Sequence, residues 1–164
     1  MGDYGLIIVD DEEMMRDGLS SYVKWEDIGF RLDGVFEDGT DAIEWLGEHD
    51  THVILTDLRM THASGLDVAS FVRDKKLDIK IVIISGYSDF EAAQKALGFH
   101  IRDYLLKPIS VKKIRETLGT LKDELDKERN DRDAISREIE DFESLKSYVE
   151  ERFISQLVLG GLRR

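Results

Sequence analysis

The stretch His52-Val53-Ile54-Leu55-Thr56-Asp57-Leu58-Arg59-Met60 joins an apolar run to an acidic residue. The side chains at positions 52–55 are typical of a strand buried in a parallel sheet. Asp57, where the run ends, has two interpretations. It can be a solvent-facing turn residue that accepts hydrogen bonds from main-chain amides, or it can be a nucleophile or metal ligand. The rest of the chain has to decide between them.

Four further strand-like runs accompany this one, at residues 6–9, 30–36, 79–84 and 103–108, the last of which is stopped by Pro108. Amphipathic segments of about ten residues separate them and predict helices, the last at about residues 89–97. Strands that alternate with helices indicate right-handed crossovers and a parallel sheet. We therefore predict a flavodoxin-like, doubly wound α/β domain with five parallel strands.

Composition and charge exclude several classes of protein. The 164 residues suffice for one core plus an appendage, and the absence of cysteine excludes disulfides and thiolate metal sites. No apolar run approaches the roughly 20 residues of a membrane span, so we expect a cytoplasmic protein without a membrane partner. Residues 1–109 carry 11 Lys and Arg against 22 Asp and Glu, a net charge of −11. Such a domain would repel a nucleic-acid backbone.

Polar residues follow the predicted strands at the ends that meet in a parallel sheet. These residues are Asp10, Asp11, Asp57, Ser85 and Lys107. Because the carboxyl ends of parallel strands share one edge, we expect these side chains to line one crevice. Clustered carboxylates repel each other unless a cation intervenes, and an all-oxygen set suits Mg²⁺. Such a site could transfer a phosphoryl group to a carboxylate.

Each of these residues also has a simpler explanation when it is taken alone. Asp10 and Asp11 could cap a helix, and Lys107 could be a solvated surface charge. Asp38-Gly39 and Gly65 are most simply turns. The functional interpretation depends on the carboxylates and Lys107 occurring together.

Five motifs in the same order resemble the receiver domains of bacterial two-component response regulators, over about residues 4–121. The motifs are Asp10-Asp11, Asp57, Asp57-x-x-Met60 with Gly65 beyond, Ser85-Gly86 and Lys107-Pro108. The resemblance implies that Asp57 is the phosphoacceptor. It also implies that Asp10, Asp11, Asp57 and the main-chain carbonyl of Arg59 hold Mg²⁺.

The same resemblance implies roles for the remaining site residues and a partner. Ser85 stands where the family has Thr or Ser, and Tyr104 stands where it has a switching aromatic residue. The alternative for Tyr104 is that its ring simply packs in the core. Lys107 would complete the catalytic set, and the Lys107-Pro108 bond is usually cis in the family. The implied phosphoryl donor is a sensor histidine kinase.

The tail from Ser110 onward follows a different pattern. Apolar residues recur in a 4-3 ladder, with Glu128 and Arg132 on two of its rungs. The apolar rungs are Ile114, Leu118, Leu121, Leu125, Ile135, Ile139 and Phe142. The first rungs fit the last receiver helix packing on its own sheet. From Leu125 onward we expect another partner, and a parallel homodimeric coiled coil is the preferred one.

The chain therefore divides, by prediction, into a receiver at residues 1–121 and a helical coiled-coil linker at residues 122–164. The end of the tail, residues 25–30 and residues 85–90 are similar to regulators in which a helical linker joins the receiver to an AraC-type DNA-binding domain. No such domain lies in this sequence, so DNA binding would require a missing output domain.

Three alternatives remain at this stage. The chain could be a stand-alone receiver that acts through protein contacts, or a dimerising coiled-coil module with a vestigial site. A phosphatase of the haloacid dehalogenase type also uses an aspartyl nucleophile with Mg²⁺. That class places Asp-x-Asp after the first strand, whereas Asp57-Leu58-Arg59 follows the third and lacks the second acid.

Overall fold

The structure is a computed structural model that describes residues 2–86, 91, 98 and 100–162. Within them, five strands form one sheet in the order β2-β1-β3-β4-β5, with each neighbouring pair parallel. The strands are β1 (Tyr4–Val9), β2 (Phe30–Phe36), β3 (Val53–Asp57), β4 (Lys80–Ser85) and β5 (Asp103–Leu106). The predicted flavodoxin-like fold class is confirmed.

Helices connect the strands and are followed by one long helix at the end of the chain. They are α1 (Glu13–Ser21), α2 (Gly39–Leu46), α3 (Gly65–Asp74) and the C-terminal helix (Val111–Leu162), with a short 3-10 helix at Trp25–Ile28. The helix predicted at about residues 89–97 falls, apart from Glu91, outside the described residues.

Pairing extends β1 and β3 beyond their predicted bounds. β1 begins at Tyr4 rather than residue 6, since Tyr4 pairs with Phe30 on β2. β3 continues to Asp57, since Asp57 pairs with Ile84 on β4. Asp57 is therefore the last residue of a hydrogen-bonded strand, which ties its main chain to the sheet.

The core lies where the central strands meet α2 and α3. Side chains such as Ile7, Ile54 and Ile83 are fully buried there, and Val68 of α3 packs into the same cluster. Strands that are buried on both faces have nearly continuous apolar sequences, which explains why the sequence pattern predicts them. The sheet provides a rigid frame for the residues at its carboxyl edge.

The chain forms two compact units, one up to Gly119 and the other from Thr120. The C-terminal helix begins in the first unit, where Ile114 and Leu118 are buried as predicted. In the second unit Leu125 is only 5% exposed, so the prediction that it needs a partner outside the chain is wrong. The exposed apolar rungs begin at Ile135, which is 57% exposed.

None of the described helices is both long and apolar enough to cross a membrane.

Candidate functional site

The predicted site residues lie at the carboxyl edge of the sheet. Asp10 and Asp11 follow the end of β1, and Asp57 ends the neighbouring strand β3. Ser85 ends β4, and Lys107 follows the end of the edge strand β5. Three of them, Asp10, Asp57 and Lys107, are in direct contact.

Lys107 is the cation at the centre of this site. Its Nζ lies 3.2 Å from Oδ2 of Asp57, 3.3 Å from Oδ2 of Asp10 and 3.2 Å from Oε1 of Glu12. The main chain holds it in place, because the Lys107 N–H donates to the Ser85 carbonyl at 2.7 Å. The Lys107-Pro108 peptide bond is cis, as the resemblance implies.

Asp10 has a structural task as well as a place in the site. Its Oδ1 accepts a hydrogen bond from the Glu12 N–H at 2.9 Å, just before α1 begins at Glu13. Its main-chain carbonyl accepts from the Arg16 guanidinium at 2.8 Å. Oδ1 of Asp10 therefore stabilises the turn before α1 without capping the helix, whose N-cap is Glu12, while Oδ2 faces Lys107.

The pKa values of Asp10, Asp57 and Lys107 are all raised, but for different reasons. Burial raises the pKa of Asp57 and of Asp10, and the Lys107 ammonium offsets only part of that effect. Burial alone would lower the pKa of Lys107, but the neighbouring carboxylates of Asp10 and Asp57 outweigh it and raise that pKa. The site therefore has more negative charge than one ammonium can neutralise.

The acidic groups are arranged as a cation site would require. Carboxylate oxygens of Asp10, Asp11, Glu12 and Asp57 all lie within 4.8 Å of one another. This donor set consists of oxygen alone and includes exposed members, which fits a hard, partly hydrated cation such as Mg²⁺. Sequence reasoning had placed Asp10, Asp11 and Asp57 in the site but not Glu12, which only the structure shows beside Lys107.

A second buried carboxylate, Asp38, organises the loop that leaves the site. Asp38 precedes α2 and accepts from the N–H of Thr40 at 2.9 Å, and from those of His62 at 2.9 Å and Ala63 at 3.0 Å in the β3–α3 loop. Burial acts to raise the pKa of Asp38, but these hydrogen bonds outweigh it and hold that pKa well below its usual range. Sequence reasoning took Asp38-Gly39 for a simple turn and missed this link.

Two glycines allow this loop to lie close to its neighbours. A Cβ on Gly65 would lie 2.3 Å from the main-chain oxygen of Asp57, and one on Gly39 would lie 2.5 Å from that of Ala63. The Gly65 N–H donates to the Leu58 carbonyl at 2.9 Å, which closes the loop against the end of β3. Gly65 is therefore a packing requirement of the site rather than only a turn.

The remaining predicted residues lie near the site, each in a different environment. Ser85 is fully buried, and Tyr104 is half-buried on β5, where it packs against the core. Arg59 is exposed in the β3–α3 loop, two residues beyond Asp57. Residues 87–90, part of a motif used in the sequence analysis, lie outside the described residues.

Comparison with known families identifies this arrangement. The sequence profile described as the response regulator receiver domain matches residues 6–119. The chain belongs to this family. Receiver domains typically bind Mg²⁺ at an acidic pocket, and this receiver has such an acidic cluster at the edge of its sheet.

Similar proteins are bacterial regulators. An uncharacterized response regulatory protein of Staphylococcus epidermidis is 36% identical over 118 residues, which make up 72% of this chain and 46% of that protein. The uncharacterized transcriptional regulatory protein YesN of Bacillus subtilis is 25% identical over 157 residues, or 96% of this chain and 43% of its own. This receiver chain thus spans less than half the length of either relative.

Solved structures agree with the family assignment. The REC domain of AraT, a response regulator from Geobacillus stearothermophilus, superimposes with a TM-score of 0.72 and 31% sequence identity. The match covers 77% of this chain and 98% of that domain. The receiver fold therefore accounts for most of the chain described above.

Proposed function

We propose that this receiver takes a phosphoryl group from a phosphohistidine of a sensor histidine kinase onto Asp57. The observation that carries the proposal is the contact of Asp57 with Lys107, beside Asp10, at the end of the central strand β3. A carboxylate held against an ammonium and a cluster of acids is suited to phosphoryl transfer, which depends mainly on positioning and charge.

The chemical step is a displacement at phosphorus. A carboxylate oxygen of Asp57 forms the new P–O bond while the P–N bond to the histidine imidazole breaks, and the imidazole nitrogen leaves with the bonding electrons. The Leu58 N–H donates to Oδ1 of Asp57 at 2.7 Å, and Lys107 donates to Oδ2 at 3.2 Å. These two contacts orient the carboxylate before the donor arrives. The Lys107 ammonium is then close enough to balance charge on the phosphoryl oxygens.

Asp10, Asp11, Asp57 and the main-chain carbonyl of Arg59 would hold the Mg²⁺ ion. A bound divalent cation supplies positive charge that offsets the repulsion between the carboxylates and an anionic donor. The raised pKa of Asp57 and of Asp10 accords with this assignment, because it reflects burial first and, to a smaller extent, repulsion from a neighbouring carboxylate. The Asp10 side chain accepts from Glu12 N–H and is already oriented by that bond.

Ser85 and Tyr104 would carry the change away from Asp57. The Ser85 hydroxyl, which belongs to a fully buried residue, would donate to a phosphoryl oxygen. Tyr104 lies on the same edge strand that precedes Lys107, and it is only half-buried. Movement at the end of β5 would therefore change the exposure of Tyr104.

The output would pass through the C-terminal helix to a DNA-binding domain that this chain does not contain. In this proposal residues 1–121 form the receiver and residues 122–164 form a linker that pairs with the same helix of a second copy. Apolar side chains at ladder positions Ile135, Ile139 and Phe142 are each more than half exposed, which supports a partner there. A cytoplasmic location accords with a kinase donor and a DNA target.

Labelling with a small phosphoryl donor tests the proposal. The protein would be incubated with acetyl phosphate and Mg²⁺ and its intact mass measured. We expect one added phosphoryl group on the wild type and on Asp50→Asn, an exposed control just before β3. We expect none on Asp57→Asn. Undiminished labelling of Asp57→Asn, or an unlabelled wild type, would overturn the proposal.

A further inference from the structure

Glu12 is a third carboxylate on the Lys107 ammonium, outside the set proposed to hold the cation. Its Oε1 accepts a hydrogen bond from Nζ at 3.2 Å, the same distance as the contact with Asp57. The Glu12 side chain is 60% exposed, whereas that of Lys107 is only 18% exposed. Glu12 therefore reaches the lysine from the solvent side of the site.

Carboxylate oxygens surround the Lys107 ammonium, which donates hydrogen bonds to Glu12 and Asp57 and forms an ion pair with Asp10. An ammonium group has three N–H donors and no acceptor, and three carboxylate oxygens lie around this one, from Asp10, Glu12 and Asp57. A phosphoryl oxygen that approaches Lys107 therefore competes with these three carboxylates for the ammonium.

The Glu12 contact is the easiest of the three to lose. Asp10 and Asp57 are largely buried, and a main-chain N–H holds the second oxygen of each. A buried carboxylate that loses its ammonium partner is left poorly compensated, whereas water can solvate the exposed Glu12 carboxylate directly. The incoming phosphoryl group should therefore replace Glu12.

We propose that Glu12 is a positioning residue that holds Lys107 in the unphosphorylated state and competes with the phosphoryl group for it. This inference rests on the proposed function, because it concerns the rate at which Asp57 is phosphorylated. Glu12 slows the reaction by occupying an N–H group of Lys107 that the phosphoryl oxygen needs. When no phosphoryl donor is bound, the Glu12 carboxylate also keeps other anions from binding the ammonium.

Three substitutions separate this contact from a general effect of charge. Glu12→Gln removes the charge but keeps the length, and Glu12→Asp keeps the charge but is too short for the present contact. Glu13→Gln removes the same charge from the next residue, which is exposed and opens α1. A role in holding Lys107 predicts that both changes at Glu12 act alike and that Glu13→Gln does not.

Two measurements apply to each variant at saturating Mg²⁺. The first is the rate of phosphorylation by acetyl phosphate, followed by intact mass. The second is the affinity for beryllofluoride, a phosphoryl analogue that involves no turnover. For both variants at Glu12 we expect the rate and the affinity to rise about two- to fivefold, the range for breaking an exposed ion pair. For Glu13→Gln we expect both to stay at the wild-type values.

Several outcomes would overturn the inference. Equal gains in Glu12→Gln and Glu13→Gln would mean that only the overall charge matters. Wild-type values for Glu12→Asp would mean the same. If Glu12→Gln needs a higher Mg²⁺ concentration than the wild type to reach saturation in the labelling assay, Glu12 is a cation ligand instead. If no variant is labelled, the wild type included, the proposed function fails, and the beryllofluoride affinities still decide the role of Glu12.

Discussion

The Lys107 ammonium lies 3.2 Å from Oδ2 of Asp57, although the two residues are 50 positions apart in the chain. The sheet brings them together, because β4 alone separates the strand that ends at Asp57 from the strand that precedes Lys107. The fold therefore sets the geometry of this ion pair. The Lys107 ammonium compensates the negative charge of the largely buried Asp57 carboxylate.

Replacing Lys107 with methionine should destabilise the protein mainly when Mg²⁺ is absent. The substitution leaves the carboxylates of Asp10 and Asp57 facing each other with no cation between them. We expect the free energy of unfolding to fall by about 1–3 kcal/mol in EDTA, between the values for exposed and buried ion pairs. In saturating Mg²⁺ the deficit should shrink, because the metal replaces the lost charge. Urea denaturation in the two conditions measures both quantities.

The control for this experiment is Lys112→Met, a change to an exposed lysine near the start of the C-terminal helix. Its effect on stability should be small and independent of Mg²⁺. A Lys107→Met deficit that is the same size with and without Mg²⁺ would contradict the proposed metal site.

Replacing Gly65 with alanine should both destabilise the receiver and slow its phosphorylation. The new Cβ would lie 2.3 Å from the main-chain oxygen of Asp57, so either the loop or the end of β3 must move. We expect a loss of about 1–3 kcal/mol in the free energy of unfolding, as for other overpacked sites. Gly119→Ala is the matched control, because nothing lies within 4 Å of its added Cβ and it sits inside a helix. That variant should be as stable as the wild type or up to about 1 kcal/mol more stable. Labelling of Gly65→Ala at the wild-type rate would contradict the link to Asp57.

Asp38 should contribute stability that persists until the solution becomes strongly acidic. Its hydrogen bonds hold its pKa below the usual range, so its ionised form is favoured more in the folded state than in the unfolded state. Such a group contributes stability above the unfolded pKa, about 3.9, and loses it as the pH falls through the lower folded pKa. We expect Asp38→Ala to cost about 2–4 kcal/mol at neutral pH, for a lost helix cap and lost hydrogen bonds to a charged group.

The pH dependence of stability separates the contribution of the charged Asp38 side chain from that of a neutral helix cap. The difference in urea midpoint between the wild type and Asp38→Asn should stay constant from pH 7 to about pH 5 and narrow only below about pH 4. Asp41→Asn, an exposed change in the first turn of α2, should have a much smaller effect. A difference that already narrows between pH 7 and about pH 5 would show that Asp38 does not titrate with a lowered pKa.

The exposed apolar ladder on the C-terminal helix should pair two copies of the chain. Ile139 is 54% exposed, so Ile139→Glu removes an apolar contact from the proposed interface without disturbing a core. We expect the wild type to sediment as a concentration-dependent dimer and Ile139→Glu as a monomer. Ser144→Glu adds the same charge on the opposite side of the helix and should remain dimeric. A wild type that stays monomeric at its highest soluble concentration would refute the dimer.

The sequence predicted the fold because three central strands are covered on both faces and appear as uninterrupted apolar runs. It also predicted that Asp10, Asp57 and Lys107 lie together, because each stands at the end of a predicted parallel strand. It could not show that Asp38 binds the amides of His62 and Ala63, since that link spans about 25 residues and depends on where α2 and the loop meet. Asp38-Gly39-Thr40 carried the signal of a helix cap but no sign of its second partner.

The structure differs from the sequence predictions at Glu12 and Leu125 as well, and tertiary contacts are again the cause. Glu12 directly follows Asp10 and Asp11 in the sequence, but only its contact with Lys107 in the structure shows that it belongs to the site. Leu125 was predicted to need a second chain, yet it is buried within the single one. Periodicity reports that a side chain is apolar on one face but does not report what covers that face.

The most direct test of the central claim is to locate the phosphoryl group chemically. Borohydride reduces an aspartyl phosphate to homoserine, so peptide mapping after acetyl phosphate, Mg²⁺ and borohydride identifies the modified residue. We predict homoserine at position 57, in amounts that fall when Mg²⁺ is removed. Homoserine at position 10 or 11 instead of 57, or none at any position in a labelled protein, would contradict Asp57 as the phosphoacceptor.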